Sequence, residues 1–325
     1  MESRALDATS EPELARVLEL VKLVYGRPMS AAFYRWRFLQ SPFGAPLVTL
    51  LWDGDVLAGH YALSPTRSWS AALGGGFPSA QSMTTMTHPD YRNRGVFTQL
   101  AADLYARAEA SGVRMVWGMP NTQSHFGFRE KLGWRDIGVM FTMTRVLDDH
   151  AATAASAPEL HASEQPPAEA SALFAQSDDG RFFASARELD YLRWRYADHP
   201  EVRYEFLSQA AGDGALDAFV VVKEYVLGDG RRALEVVDYL YGCKPDRFST
   251  LLRSLLGWAR ARGYAMVRTW MGVTDPAFGA LEKLGFVPRE PLAYVGGRTF
   301  GATLLPEATW SPAGAYLTMG DSDNY

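Results

Sequence analysis

The chain has one cysteine, Cys243, in 325 residues. No internal disulfide can form, and a reducing compartment fits. A lone cysteine reads more readily as a packing residue than as a catalytic thiol. Long apolar runs are also missing, since none approaches the roughly 20 residues that span a membrane. The opening stretch MESRALDATSEPELARVLEL is too polar for a signal peptide. These absences predict a cytoplasmic protein without a membrane partner. Basic blocks are lacking too. A net charge of -5 and a pI of about 5.7 argue against nucleic acid. His, Cys, Asp and Glu show no metal-ligand spacing, so no metal is expected. Neither Gly-x-Ser-x-Gly nor a P-loop occurs.

What is present is ordinary for a globular protein: 47% hydrophobic and 21% charged residues. At roughly 100–200 residues per domain, the length implies two domains. The most informative stretch is Thr84 to Leu100, TTMTHPDYRNRGVFTQL. Ser82 to Thr87 reads as a strand, which His88-Pro89-Asp90 stops. From Val96 onward the apolar residues Phe97, Leu100, Ala101, Leu104, Tyr105 and Ala108 keep a helical period. Gly95 allows a sharp turn and close approach of a ligand to the backbone. The first amides of the following helix lack partners and favour an anion. The segment from Arg92 to Thr98 thus reads as a diphosphate cradle.

Around it the pattern predicts helices over Glu11–Val24 and Ala31–Leu39, then strands over Leu47–Trp52, Val56–Leu63 and Arg67–Leu73. After the cradle helix come a strand at Arg114–Trp117, a helix ending near Leu132 with Gly133 as its cap, and a strand at Ile137–Thr144. Leu147–Ala170, rich in Ala, Ser, Pro and Glu, reads as a linker. The pattern then repeats. Phe33-Tyr34-Arg35-Trp36-Arg37-Phe38 returns as Tyr191-Leu192-Arg193-Trp194-Arg195-Tyr196. Gly112–Val116 returns as Gly263–Val267, and Glu130-Lys131-Leu132-Gly133-Trp134 as Glu282-Lys283-Leu284-Gly285-Phe286. Offsets of 158, 151 and 152, in one order, indicate a duplication. Strands near Tyr204–Ser208, Ala215–Tyr225 and Leu234–Tyr241 follow, then a helix striped with Phe248, Leu251, Leu252, Leu255 and Ala259.

The segment Thr84–Trp134 resembles the GNAT superfamily of N-acetyltransferases. The family motif is Arg/Gln-x-x-Gly-x-Gly/Ala between a strand and a helix. Arg92 and Gly95 match, and Phe97 departs at the last position. The resemblance implies an α/β (α+β) fold of two tandem GNAT-like domains, each a mixed, mostly antiparallel twisted sheet flanked by helices. The expected boundaries are 1–146 for the acyl-CoA domain, 147–170 for the linker, 171–300 for a degenerate copy shaping the acceptor cleft, and 301–325 for a tail. In the second copy Gly242-Cys243-Lys244-Pro245-Asp246-Arg247-Phe248-Ser249 replaces the motif, and Pro245 has no N–H to offer.

The implied activity is acyl transfer from acetyl-CoA, or another acyl-CoA, to a small-molecule amine in a ternary complex. A nucleotide-linked amino sugar or a secondary-metabolite amine is the implied acceptor, and the enzyme a monomer or homodimer. Rival readings are a non-catalytic acyl-CoA binder and a Fem-like aminoacyl transferase. The resemblance places cofactor contacts at Met86, Thr87, Arg92, Arg94, Gly95, Val96, Phe97, Thr98 and Asn121. It places the oxyanion donor on the strand amides near Thr85. The tyrosine acid usual in the family is replaced by Arg129 in the first copy and Leu281 in the second. For a base, His60 has a suitable pKa range, and Asp238 is a carboxylate in an apolar run. His125 could line the cofactor groove, and Asp321 and Asp323 could hold an amine, though a solvated tail is the default there.

Overall fold

The computed structural model describes residues 1–147, 159–177, 181–242, 244–303 and 305–322. Cys243 and Asp323 lie outside these. The front half opens with edge strand β1 (Glu2–Ala5) and helix α1 (Glu11–Tyr25). Ser10 caps α1 by accepting from the Glu13 amide, and Gly26, at φ 70°, ends it. Its stripe of Leu14, Val17, Leu20 and Val21 is buried. Helix α2 (Ala31–Tyr34) runs into a π-helical turn, Arg35–Leu39. Strands β2 (Leu47–Asp53) and β3 (Val56–Ser70) form a hairpin, and β4 (Gly75–Thr87) returns beside β3.

Of the separate strand expected at Arg67–Leu73, Ala71–Leu73 is a 3-10 turn, and the part through Ser70 is instead the end of β3. Its buried hydroxyls have partners, so nothing interrupts it: Ser68 bonds Ser79 at 2.7 Å and the Ala184 carbonyl at 2.7 Å. Helix α3 (Val96–Ala110), β5 (Met115–Gly118), a π-helical turn (Gly127–Lys131) and β6 (Arg135–Val146) complete this half.

The back half repeats the plan. Strand β7 (His161–Ser163) pairs with β9, so this part of the expected linker belongs to the sheet. Next come α4 (Ala170–Ala175), β8 (Phe182–Phe183) and α5 (Leu189–Leu192), which runs into a second π-helical turn, Arg193–Ala197. Then follow β9 (Glu205–Ala210), β10 (Leu216–Val226), β11 (Arg232–Leu240) and α6 (Pro245–Ala261). Strand β12 (Met266–Met271), α7 (Phe278–Lys283), β13 (Val287–Thr299) and β14 (Ala315–Tyr316) end the chain.

Among the described residues fourteen strands join one sheet, ordered β1-β2-β3-β4-β5-β13-β6-β12-β11-β10-β9-β7, with β8 and β14 to the side. Pairing is antiparallel except for β4–β5, β11–β12 and β8–β14. The two halves exchange their last strands. β6 pairs with β12 of the back half, and β13 returns to pair with β5 of the front half. The exchange brings backbones close at Gly297, where a Cβ would lie 2.5 Å from the Val116 carbonyl. The sheet is mixed, mostly antiparallel and flanked by helices, as the sequence implied, but the halves share it rather than each owning one.

Candidate active site

The ladder between β4 and β5 is short. It pairs Ser79, Ala80 and Gln81 with Met115, Val116 and Trp117. Beyond Gln81 the two strands diverge, and a cleft of about 990 Å³ opens between them. That volume is of the size that holds a small ligand. On the other edge β4 stays paired to β3 through a bulge: His60 faces Met86 and Ala62 faces Met83, leaving Thr84 and Thr85 opposite Tyr61 alone. Thr84 has φ 46°, in the left-handed region, which is uncommon for a β-branched residue.

Below the bulge, the His88 amide donates to the Ala58 carbonyl at 2.9 Å. Alternation along an antiparallel pair then turns Met86 toward β3, and Thr85 and Thr87 toward the cleft. Thr85 and Thr87 both line the cleft. Met86, expected to contact the cofactor, is a correction: its side chain is 1% exposed in the core and its backbone serves β3.

At the far end of β4 the chain turns tightly into α3. Pro89–Tyr91 makes a 3-10 turn, Asn93 has φ 62°, and Gly95, at φ 77°, caps α3. The Gln99 amide reaches the Gly95 carbonyl, so Val96, Phe97 and Thr98 have no acceptor within the helix. A Cβ on Gly95 would meet only Thr98 Oγ1, at 3.8 Å, so the outer face of the turn is open to a ligand. Arg92 is exposed, lines the cleft, and has no carboxylate partner among the described residues. Arg94 lies 5.1 Å over the Tyr91 ring. The Phe97 ring packs on Phe128 with centroids 5.3 Å apart, and a Cβ on Gly127 would come within 3.2 Å of it. The bulk at this motif position is thus accommodated by a glycine opposite. These features fit a diphosphate on the α3 amides and Arg92, with the thioester arm between β4 and β5.

Asn121 lines the cleft, and its Oδ1 accepts from the Gln123 and Ser124 amides at 3.0 Å each. It shapes the turn. His125 stacks flat on Tyr294, with centroids 3.9 Å apart, and bonds Asp136 at 2.7 Å. Arg129, at the position of the family tyrosine, is exposed beside Asp136 and Glu130.

Neither expected base reaches the cleft. His60 is fully buried. Its Nδ1 donates to the Thr84 carbonyl at 2.8 Å, and its Nε2 accepts from Tyr34 at 2.9 Å. Burial pushes its pKa down to about 4. It holds the bulge rather than taking a proton from a substrate. Asp238 is also fully buried, receiving Arg187 Nε at 3.3 Å and the Tyr196 hydroxyl at 2.7 Å. Asp321, expected in a solvated tail, joins the same cluster at 2.5 Å from Arg187 and caps its own turn with Thr318. Charges this deep persist because they are paired.

The cluster marks the equivalent gap of the back half. Strands β11 and β12 pair only from Ala233 to Val236, then separate. The chain's own 3-10 turn Met319–Asp321 packs against both strands. Gly320 lies so close to Tyr196 and Val237 that a Cβ would collide with the Tyr196 hydroxyl. The second gap is therefore filled from within.

Three cleft residues were not anticipated from the sequence. The Tyr25 hydroxyl, at the end of α1, donates to the Thr85 carbonyl at 3.3 Å. His199 and Glu201 enter from the back half. His199 stacks on Trp36, with centroids 4.3 Å apart, and its Nδ1 accepts from the Glu201 and Val202 amides at 3.1 and 3.0 Å. Burial, then Arg195, Arg37 and Lys223, push its pKa down to about 3, so it is neutral. The available signal was their place just after the repeated Arg-Trp-Arg motif.

Residues 5–137 match the family model described as the acetyltransferase (GNAT) domain. Over these residues the front half is similar to a GNAT acetyltransferase domain. No curated protein sequence matches the chain. Among solved structures, a GCN5-related N-acetyltransferase from Anabaena variabilis is similar with a TM-score of 0.68 and 14% identity, over 91% of this chain and 72% of that one. One from Kribbella flavida gives 0.62 and 17%, over 91% and 70%. Saccharomyces cerevisiae N-myristoyltransferase, solved with bound myristoyl-CoA, gives 0.61 and 13%, over 91% and 79%. At these identities the likeness is one of fold. The GNAT domain ends near the start of β6, so the strand exchange and the back half lie outside the matched residues.

Proposed function

We propose that the protein transfers an acyl group, acetyl first among candidates, from acyl-CoA to the amine of a small molecule by direct attack in a ternary complex. One observation carries the reading: the divergence of β4 from β5 joins the open α3 amides and the Thr85 and Thr87 amides along one cleft. Val96, Phe97, Thr98 and Arg92 hold the diphosphate. Thr85 and Thr87 steady the tetrahedral oxyanion, and the cleft walls hold amine and thioester in line. The Tyr25 hydroxyl stands where a phenol can protonate the departing thiolate, a task that Arg129 cannot perform.

The acceptor end is walled by Met29, Phe33, Phe38 and Val202. These favour an amine on an apolar body, of the secondary-metabolite kind, over a nucleotide-linked sugar. The back half acts as a wall of the acceptor cleft and takes no acyl-CoA of its own.

Calorimetric titration with acetyl-CoA tests the cradle. Wild type binds one equivalent, and Gly95→Trp, which fills the outer face of the turn, loses binding. Equal binding by both proteins would remove the cradle from the reading. Release of free thiol in the presence of amines then separates an enzyme from a non-catalytic binder.

A further inference from the structure

Among the described residues, the cleft is lined by six ionisable side chains: Tyr25, Arg27, Arg37, Arg92, His199 and Glu201. Three are arginines, His199 is neutral, and one is a carboxylate. Glu201 has no cation within ion-pairing distance among the described residues. Its described side-chain partner is the Ser30 hydroxyl, which donates to Oε1.

The position of Glu201 is also fixed. Its own amide and that of Val202 donate to one ring nitrogen of His199. That ring is held against Trp36 and Phe33, with centroids 4.3 and 5.6 Å away. The loop carrying Glu201 is therefore pinned on an aromatic platform made by both halves. Ser30 caps α2 of the front half by accepting from the Phe33 amide at 3.0 Å, so the carboxylate is tethered across the interface.

We propose that Glu201 receives the ammonium of the acceptor, an arylalkyl or alkyl primary amine whose apolar body lies on Met29, Phe33 and Val202. This rests on the acyl-transfer reading above. A carboxylate tied to a hydroxyl in a cleft otherwise rich in cations is completed by an ammonium, which is a donor without acceptors. Glu201 then takes one proton from that ammonium. The freed amine nitrogen attacks the thioester carbonyl, the C–N bond forms and the C–S bond breaks. The second nitrogen proton passes to the thiolate by way of the Tyr25 hydroxyl, which gives its own proton to sulfur and is reprotonated from nitrogen, leaving amide and free CoA thiol. The proton on Glu201 leaves to solvent, so one proton is released per turnover.

The test measures acetyl-CoA binding by calorimetry, and thiol release with 2-phenylethylamine, hexylamine and glucosamine, for wild type, Glu201→Gln and Glu201→Asp. Glu201 is exposed, so folding should survive, and unchanged acetyl-CoA affinity in the variants verifies it. Wild type should turn over the first two amines in preference to glucosamine. Glu201→Gln should lose roughly a hundredfold in kcat/KM. It should also lose the acidic limb of the pH–kcat/KM profile, and Glu201→Asp should recover part of both. The proposal is overturned if Glu201→Gln acylates like wild type with an unaltered profile. It is equally overturned if acetyl-CoA binds but glucosamine is preferred, or if no amine reacts. Absence of acetyl-CoA binding in wild type would instead overturn the acyl-transfer reading itself.

Discussion

Trp36 and Trp194 donate their indole N–H groups to each other's backbone carbonyls, at 2.8 and 3.2 Å. They are separated by 158 residues, the offset of the repeated motif that contains both. Residues at matching places of the repeated motif thus meet as a reciprocal pair at the junction of the halves. Arg37 and Arg195, also equivalent, lie over the Trp194 and Trp36 rings at 5.3 and 5.8 Å. The cleft adjoins this junction, because Trp36 stacks on His199, which lines it.

Trp36→Phe keeps an aromatic ring but leaves the Trp194 carbonyl buried without its donor. A loss of about 1–2 kcal/mol is expected, with weaker amine turnover and unchanged acetyl-CoA binding. Urea melts and calorimetry check this. Acetyl-CoA binding that fell in step with turnover would refute the separation of the two ends of the cleft.

His60 makes the fold sensitive to acid. Its folded pKa of about 4 lies below the 6.5 of an ordinary imidazole, so the unfolded chain binds the extra proton first. The stability it contributes is complete above pH 6.5 and is lost as pH falls toward 4. The loss approaches about 3 kcal/mol over that window. His60→Gln should be less stable at pH 7 yet show a flatter decline than wild type between those limits, seen in urea midpoints against pH. Parallel curves for the two proteins would contradict this account. The same variant should weaken acetyl-CoA binding by releasing the Thr84 bulge.

Phe97 and Gly127 should behave as a coupled pair. Gly127→Val places branches against the Phe97 ring, and a cost of about 1–3 kcal/mol is expected. Phe97→Ala in the same chain should relieve much of it, with a coupling of roughly 0.5–3 kcal/mol in a double-mutant cycle. Additive effects would mean that the ring can move aside without cost. Phe97→Ala alone should leave diphosphate binding in place, because backbone amides do that work.

Removing Asp238 tests stability against chemistry. Asp238→Ala strands Arg187 beside Asp321 alone, with an expected loss of roughly 3–5 kcal/mol. In the protein that remains folded at low temperature, the pH profile of acylation should match wild type. A lost limb in that profile would return Asp238 to the role of base.

Much of this protein is local, and local order is legible in a sequence. The Gly95 turn, the period of α3, the Gly133 cap and the repeated Arg-Trp-Arg motif each follow from residues adjacent along the chain. Steric and hydrogen-bond rules at that range do not depend on distant partners. The continuity of β3 through Ser68 was hidden because its support, Ser79 and the Ala184 carbonyl, comes from other elements. The fates of His60, Asp238 and Asp321 were hidden for the same reason. A side chain's exposure is settled by what packs over it, and Tyr34, Arg187 and the C-terminal segment all arrive from elsewhere. Strand exchange between the halves, the filled second gap and the arrival of Glu201 at the cleft are likewise tertiary decisions. Each depends on pairing between segments more than a hundred residues apart, or on which of two similar edges a strand joins. The sequence determined the Gly95 turn and the open amides at the start of α3, because both are local properties of the backbone. The tertiary structure decided that Glu201 lines the cleft, because a lining is a relation between surfaces that the chain brings together only when folded.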